Sequence, residues 1–388
     1  MLLTEDQQAL REVARRFARD RLRPDYQKRE AEAGVDRELY RQMGELGLLG
    51  VDLPQEYGGL GADGVTAGLI IEDIAYGDFN VSYLQLLSSL MGIILARNAR
   101  PEIARAWVPM LARGEAIVGL GLTEPRGGSD AANLTLRARR EGGDYVLAGE
   151  KTSMTFADQA DAAIVFARTG KPEEVARGVS AFFVPMNLKG VQRTRFNDLG
   201  SKMIGRGSLF LDDVRVPAGN LLDREGTGFT QVMQGFDYSR ILIALQCIGA
   251  AQASLDETWE YVKERKSFGA PLAQYQGVTF PLAEAETMIA AARELCYHAL
   301  QLRDAGRKHT AEAAMVKWLG PKTAVETIHQ CLLTFGHYGW SLDLPHQQRL
   351  RDTMGLEIGD GTAQIMKLII ARERIGRVAV QYAKGEGK

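Results

Sequence analysis

The spacing of apolar residues changes twice along this chain, and no other feature constrains its fold as tightly. From Thr4 to about Ile117 the spacing is helical: Leu10, Val13, Ala14 and Phe17 recur at three- and four-residue intervals among charged positions. Thr4 stands before the acidic pair Glu5-Asp6, as an N-cap would, and a further helix is predicted over about 66–76. Between about Val118 and Asn220 the pattern shortens to strands. Leu134-Thr135-Leu136-Arg137-Ala138-Arg139 alternates apolar and polar, and Tyr145-Val146-Leu147 follows a Gly-Gly turn. Compact apolar runs at 162–167 and 181–184 precede a last strand at 208–217. From about Thr227 helices return, with long patterning over 241–261, 278–306, 310–335 and 364–382.

Helices, then strands, then helices argue against a doubly wound α/β sheet, whose elements would alternate. The predicted class is α+β, mainly α. An N-terminal helical domain spans 1–117, a middle antiparallel β-domain (a sandwich or barrel) spans 118–226, and a C-terminal four-helix bundle spans 227–388. The 388 residues suit two or three domains, and 45% hydrophobic against 25% charged residues excludes a disordered chain. With 47 Lys plus Arg against 49 Asp plus Glu there is no basic excess to suggest nucleic acid. Cys247, Cys296 and Cys331 are scattered in apolar stretches and form neither a disulfide framework nor a metal site. The acidic N-terminus is unlike a targeting segment, and the most apolar stretch, 83–96, is shorter than a bilayer span. The expectation is therefore a cytoplasmic protein with no membrane, metal or nucleic-acid partner.

Gly59-Leu60-Gly61-Ala62-Asp63-Gly64 spells GxGxxG, but Pro54 interrupts what precedes it and the surroundings are helical. A surface loop is expected there, not a dinucleotide fingerprint. Gly121-Leu122-Thr123-Glu124-Pro125-Arg126-Gly127-Gly128-Ser129-Asp130 is more informative. Its glycines would let main-chain amides approach an anion, and Thr123 and Ser129 add hydroxyls. Read on composition alone, it is sooner a Gly-rich turn entering a strand, because Gly-Gly-Ser-Asp is ordinary turn chemistry.

That segment resembles the TEPxAGSD signature of acyl-CoA dehydrogenases, FAD-dependent desaturases of acyl-CoA thioesters. Further matches follow in the family's order: Pro54-Gln55-Glu56-Tyr57-Gly58-Gly59, Gly149-Glu150-Lys151-Thr152-Ser153-Met154-Thr155, Phe236-Asp237-Tyr238-Ser239-Arg240, Glu264-Arg265-Lys266-Ser267-Phe268-Gly269, Gln276, Arg351-Asp352 and Asp360-Gly361-Thr362-Ala363-Gln364-Ile365. The resemblance covers essentially the whole chain. It implies FAD contacts from Leu120, Leu122, Thr123, Gly128, Ser129, Met154 and Thr155. Arg265, Ser267, Phe268, Tyr275, Gln276, Gly336, Thr362 and Gln364 should meet FAD as well, several of them across a subunit boundary. The resemblance also implies a homotetramer, a dimer of dimers. Ser129, Asp237, Arg240, Gly361 and Arg372 should border the acyl-CoA, and electron-transfer flavoprotein should take the electrons.

The departures bear on substrate. The family's usual catalytic glutamate precedes Gly-Thr; here that position is Asp360. Some members carry the base just before the arginine matching Arg240, and here that position is Ser239, which cannot serve. Asp360 is thus the matched base, about 1.5 Å shorter in reach. Together with Glu150 to Ala157, this resembles the alicyclic branch, which includes cyclohexanecarboxyl-CoA dehydrogenases. Ser153 occupies a position that is commonly Trp, Leu333 one that is commonly glutamine, and His337 one that is usually glycine. Leu86, Leu87, Leu90 and Met91 fit an acyl pocket and an ordinary core equally well. A flavoprotein oxidase such as a nitroalkane oxidase is the rival enzyme, and a DNA-associated relative the rival binding protein.

Overall fold

The computed structural model describes residues 2–32 and 34–380. The last two positions of the helix expected over 364–382 lie outside them. Six helices come first: α1 (Glu5–Phe17), α2 (Tyr26–Ala31), α3 (Arg37–Glu45), α4 (Gly64–Gly77), α5 (Phe79–Asn98) and α6 (Pro101–Ala112). Thr4 caps α1 as expected, its hydroxyl accepting from the Gln7 N–H at 3.2 Å while Gln7 reaches back to the Thr4 N–H. The helix expected over 66–76 is α4.

Strands β1 (Val118–Gly121), β2 (Arg137–Glu141), β3 (Asp144–Met154), β4 (Ala162–Arg168), β5 (Val179–Pro185), β6 (Val191–Arg193) and β7 (Gly207–Pro217) form one sheet. Its order is β1-β4-β2-β3-β7-β6, with β5 on β4. The sheet is mixed, which corrects the antiparallel expectation. β1 runs parallel to β4, Val118 opposite Ala162, because the β2–β3 hairpin is inserted between them in sequence. Residues 59–63 of the GxGxxG segment form a loop, as expected, and Gly64 opens α4. Gly58 and Gly61 take positive φ, and a Cβ on Gly59 would overlap the Leu53 carbonyl.

The C-terminal helices are α7 (Gly228–Glu264), α8 (Gln276–Asp304), α9 (Thr310–Phe335), α10 (His346–Ile358) and α11 (Ala363–Ile375). A short hairpin of β8 (Lys266–Ser267) and β9 (Ala270–Pro271) separates α7 from α8. Sequence periodicity missed α10, whose inward face is polar.

Contacts divide the chain into two compact units: residues 1–27, 68–79 and 237–388, and residues 28–67 and 80–236. In the first, Glu72 accepts from Arg293 at 2.6 Å and from the Tyr297 hydroxyl at 2.5 Å, and Tyr26 donates to Asp352 at 2.6 Å. In the second, the strands of the sheet supply the core. Helix α5 is long and apolar enough to cross a membrane, longer than the 83–96 stretch suggested, and 89% of its apolar window is buried in the protein. All three cysteines are free and buried.

Candidate functional site

In the second unit, β1 delivers the chain into the signature loop. Leu122 and Glu124 turn inward, while 125–130 stay exposed. The Glu124 carboxylate accepts from the Thr135 N–H at 2.6 Å, the Thr135 hydroxyl at 2.7 Å and the Leu136 N–H at 2.8 Å. Lys151, fully buried on β3, donates to it at 2.8 Å and to the Leu122 carbonyl at 3.1 Å. Burial disfavours the Glu124 charge, but the Lys151 ammonium and these hydrogen bonds outweigh it and hold the pKa below the ordinary value. Burial brings Lys151 down to about 8 against the pull of Glu124.

Above this brace, groups remain that the fold does not use. The Gly128 and Ser129 N–H groups and the Thr123, Ser129 and Thr155 hydroxyls make no hydrogen bond among the described residues. A cavity lies among Leu122, Glu124, Arg126, Asp130, Asn133 and Leu134. Leu120 is half-buried at the end of β1 and Met154 is buried at the end of β3, where a register shift bends the strand. At that bend Ser153 takes φ 58°, and its hydroxyl accepts from Arg206 at 3.1 Å; Asp198 anchors the same guanidinium at 2.5 and 2.8 Å.

In the first unit, Asp360 lies in the turn between α10 and α11. It takes a left-handed backbone, φ 54°, uncommon outside glycine. Gly361 follows at φ 104°, where a Cβ would overlap Met366 Cε. Thr362 then caps α11, its hydroxyl accepting from the Ile365 N–H at 3.4 Å. Arg240, buried on α7, donates from Nε to the Asp360 carbonyl at 3.3 Å and from Nη1 to Asp237 at 3.3 Å. Thr310 donates to the other Asp237 oxygen at 2.6 Å. Lys317 of α9 donates to the Leu356 carbonyl at 2.7 Å and the Gly361 carbonyl at 3.2 Å. The Asp360 N–H makes no hydrogen bond among the described residues.

Burial raises the Asp360 carboxyl above its ordinary pKa, while Lys317 and Arg240 pull it back. Burial lowers Lys317 to about 8 and also lowers Arg240. Ser239 is buried, and its hydroxyl has no partner among the described residues. Arg372 is exposed on α11, and its charge acts on Arg240. Four of the residues expected at the acyl-CoA, Asp237, Arg240, Gly361 and Arg372, thus gather around Asp360. Ser129 belongs to the other unit.

A second group of expected residues sits on the surface of the first unit. Phe268 is 98% exposed at the β8–β9 turn, at φ 50°. The Tyr275 hydroxyl donates to the Ser267 carbonyl at 2.8 Å, and the Arg265 guanidinium lies over the Tyr338 ring at 5.8 Å. Gln276 and Gln364 are exposed near the starts of α8 and α11, and Gly336 ends α9 at φ 62°. Leu333 is exposed, and His337 is exposed with its ring tilted against Tyr338 at 4.1 Å. Leu86, Leu87, Leu90 and Met91 are buried on α5, as a core or a dry pocket would leave them.

Motif reading passed over Lys317 and the bracing roles of Glu124, Lys151 and Arg206. Lys317 was visible as a lone cation in Ala313-Ala314-Met315-Val316-Lys317-Trp318-Leu319, a stretch too apolar for a surface lysine.

Family models match nearly the full length. The acyl-CoA dehydrogenase N-terminal domain matches residues 4–115, the middle domain 119–214 and the C-terminal domain 226–375. An acyl-CoA dehydrogenase of Bacillus subtilis (strain 168) is 35% identical over 380 residues, covering 97% of this chain and all of that protein. Butyryl-CoA dehydrogenase from Megasphaera elsdenii superposes with a TM-score of 0.92 at 30% identity, over 96% of this chain and 99% of that one. A chain solved in work on the electron transferring flavoprotein of Acidaminococcus fermentans superposes with a TM-score of 0.93 at 32% identity, over 97% and 99%. With the signature loop, the Asp360 turn and these matches in agreement, the chain belongs to the acyl-CoA dehydrogenase family, FAD-dependent oxidoreductases that desaturate acyl-CoA thioesters.

Proposed function

We propose that this enzyme desaturates an acyl-CoA whose α-carbon lies in a ring, converting cyclohexane-1-carboxyl-CoA to cyclohex-1-ene-1-carboxyl-CoA, with Asp360 as the base. The observation that carries this reading is the base turn itself. In the link 359–362 between α10 and α11 the one carboxylate is the short Asp360, Ser239 at the family's alternative position cannot take a proton, and the backbone is fixed from both sides by Arg240 and Lys317. A base shortened by about 1.5 Å suits an α-carbon held close to the turn, and a misfit of about 1 Å can cost on the order of a hundredfold in rate.

The signature loop fits FAD by its chemistry. Two main-chain amides and three hydroxyls are unspent, and the Gly127-Gly128 backbone leaves room for close approach. Leu120, Leu122, Thr123, Gly128, Ser129, Met154 and Thr155 would hold the flavin. Arg265, Ser267, Phe268, Tyr275, Gln276, Gly336, Thr362 and Gln364 would hold the rest of the cofactor. When bound, FAD supplies the acceptor for the hydride leaving the β-carbon.

Everything else is the work of the chain. The Asp360 N–H, without a hydrogen bond among the described residues, would donate to the thioester oxygen and stabilise the developing enolate. The Asp360 carboxylate takes the α-proton, and its raised pKa makes it a better base than an exposed aspartate. As the α-proton and the β-hydride leave, the α,β double bond forms. Asp237, Arg240, Gly361, Arg372 and Ser129 would border the acyl-CoA. Electron-transfer flavoprotein is the proposed acceptor. A homotetramer accords with exposed Phe268, Trp340 and Val378, large apolar side chains at 83% exposure or more.

The test is anaerobic mixing of holoprotein with cyclohexanecarboxyl-CoA and with butyryl-CoA while the visible flavin band is followed. Bleaching by the ring thioester, lost by a factor on the order of 10² to 10⁴ in Asp360→Asn, is expected. The similarity to butyryl-CoA dehydrogenase makes a short straight chain the second reading, and preferential bleaching by butyryl-CoA would establish it. Rapid peroxide formation in air without thioester reduction would point to an oxidase.

A further inference from the structure

Lys317 is a buried ammonium with no carboxylate in hydrogen-bond reach among the described residues. It is 1% exposed and gives its protons to two main-chain carbonyls, Leu356 at 2.7 Å and Gly361 at 3.2 Å. Those carbonyls bracket the base: one belongs to the last turn of α10, the other to the residue after Asp360. Arg240 takes the carbonyl of Asp360 itself at 3.3 Å. Two cations from two helices, α9 and α7, therefore grip successive carbonyls of a turn whose central residue is left-handed. Burying an ammonium this deeply is unfavourable, and carbonyl dipoles repay it only in part.

We infer that Lys317 is a positioning residue for the proposed base: it pins the turn 356–361 around left-handed Asp360 and sets a buried positive charge against that turn. The inference rests on the reading of Asp360 as base. Other charged or titratable groups bear on the turn without replacing Lys317. Arg240 of α7 is offset by Asp237 and feels Arg372 of α11. Glu357 of α10 and Cys247 of α7 act on Lys317 itself. Burial pushes the Asp360 carboxyl up and the Lys317 ammonium is the larger of the two charges pulling it down. Remove that ammonium and the carboxyl takes up its proton at higher pH. Since only the carboxylate is a base, the acid limb of the rate profile must then move to higher pH.

The experiment compares wild type, Lys317→Met, Lys317→Gln and Lys317→Arg as FAD-loaded protein. Anaerobic bleaching by cyclohexanecarboxyl-CoA and by butyryl-CoA is followed from pH 5 to 9, with FAD content and thermal midpoint recorded for each. Lys317→Met should bleach at least about tenfold more slowly at pH 7, with its acid limb raised by about one pH unit or more. Lys317→Gln keeps donors for the carbonyls and loses the charge. It should hold FAD and still show the raised limb. Lys317→Arg should return the limb toward wild type. An unshifted limb in the uncharged variants that retain FAD overturns the inference, because a merely structural lysine would change stability alone. A wild type bleached by neither thioester sinks the assignment of Asp360 as base together with this inference. A bleached wild type with unshifted variants sinks the inference alone.

Discussion

One methylene separates aspartate from glutamate, and at position 360 it is placed where distance counts most. The residue before Gly361 is held left-handed, its carbonyl is tied to Arg240, and Gly361 has no room for a side chain beside Met366. The turn therefore cannot slide to compensate for a longer side chain. Asp360→Glu moves the carboxylate outward by about 1.5 Å, which should slow reduction by cyclohexanecarboxyl-CoA on the order of a hundredfold. Reduction by butyryl-CoA should fall less or rise. The ratio of the two bleaching rates reads this directly, and an unchanged ratio would remove the reason for preferring a ring. Asp360 was legible in the sequence because Asp-Gly-Thr stands at a motif position. Lys317 was not, since no motif marks it and its carbonyl partners are 39 and 44 residues away. Ser153 is a further residue whose meaning emerged only in three dimensions, where its hydroxyl meets an arginine 53 positions on.

Among elements, the joint between β1 and β3 carries the second unit's contribution. Lys151 on β3 and Glu124 in the signature loop form an ion pair that is almost wholly buried, at 2.8 Å. Lys151→Met would strand the Glu124 charge with only the Thr135 and Leu136 donors. Breaking one side of such a pair costs about 3–5 kcal/mol, with the remaining donors favouring the lower end. Urea unfolding should show that loss together with weaker FAD retention; the double change Lys151→Met with Glu124→Gln should recover part of the stability. The same joint explains a misread strand. Leu134 to Arg139 alternates like a strand, yet pairing begins only at Arg137. The Thr135 and Leu136 N–H groups are captured by Glu124, and the Leu134 carbonyl by Arg168 at 2.9 Å. Alternation reports which side chains are buried, and says nothing about a backbone satisfied by side chains. The parallel β1–β4 pairing was hidden for a related reason: it joins segments some 40 residues apart, beyond any local pattern. Helix α10 escaped because His346, Gln348, Arg349 and Asp352 face inward, so its buried face reads as polar.

For the molecule as a whole, buried ionisable groups set how stability depends on pH, and they do not all act in the same direction. His346 is 1% exposed, packed at 4.5 Å against Phe335, with Nδ1 unpartnered and Nε2 3.8 Å from Glu257. Burial lowers it from 6.5 to about 4; Glu257 opposes the shift and Arg349 adds to it. Below pH 6.5 the unfolded chain takes up this proton while the folded protein does not. The stabilisation is therefore complete above 6.5 and is lost as pH falls toward 4, by on the order of 3 kcal/mol. Glu124 and Glu257 have lowered values and add losses of the same sign, but only once pH drops below about 4.5. Asp73 and Asp360 are raised by burial, so the folded protein binds their protons first and they oppose the decline. The interval between pH 6.5 and 5 should thus belong mainly to His346. In urea unfolding of FAD-saturated protein, wild type should lose about 2 kcal/mol over that interval. His346→Phe should give a nearly flat profile there and rejoin the decline below 4.5. Equal slopes in the two proteins between 6.5 and 5 would mean that His346 already carries its proton in the folded state.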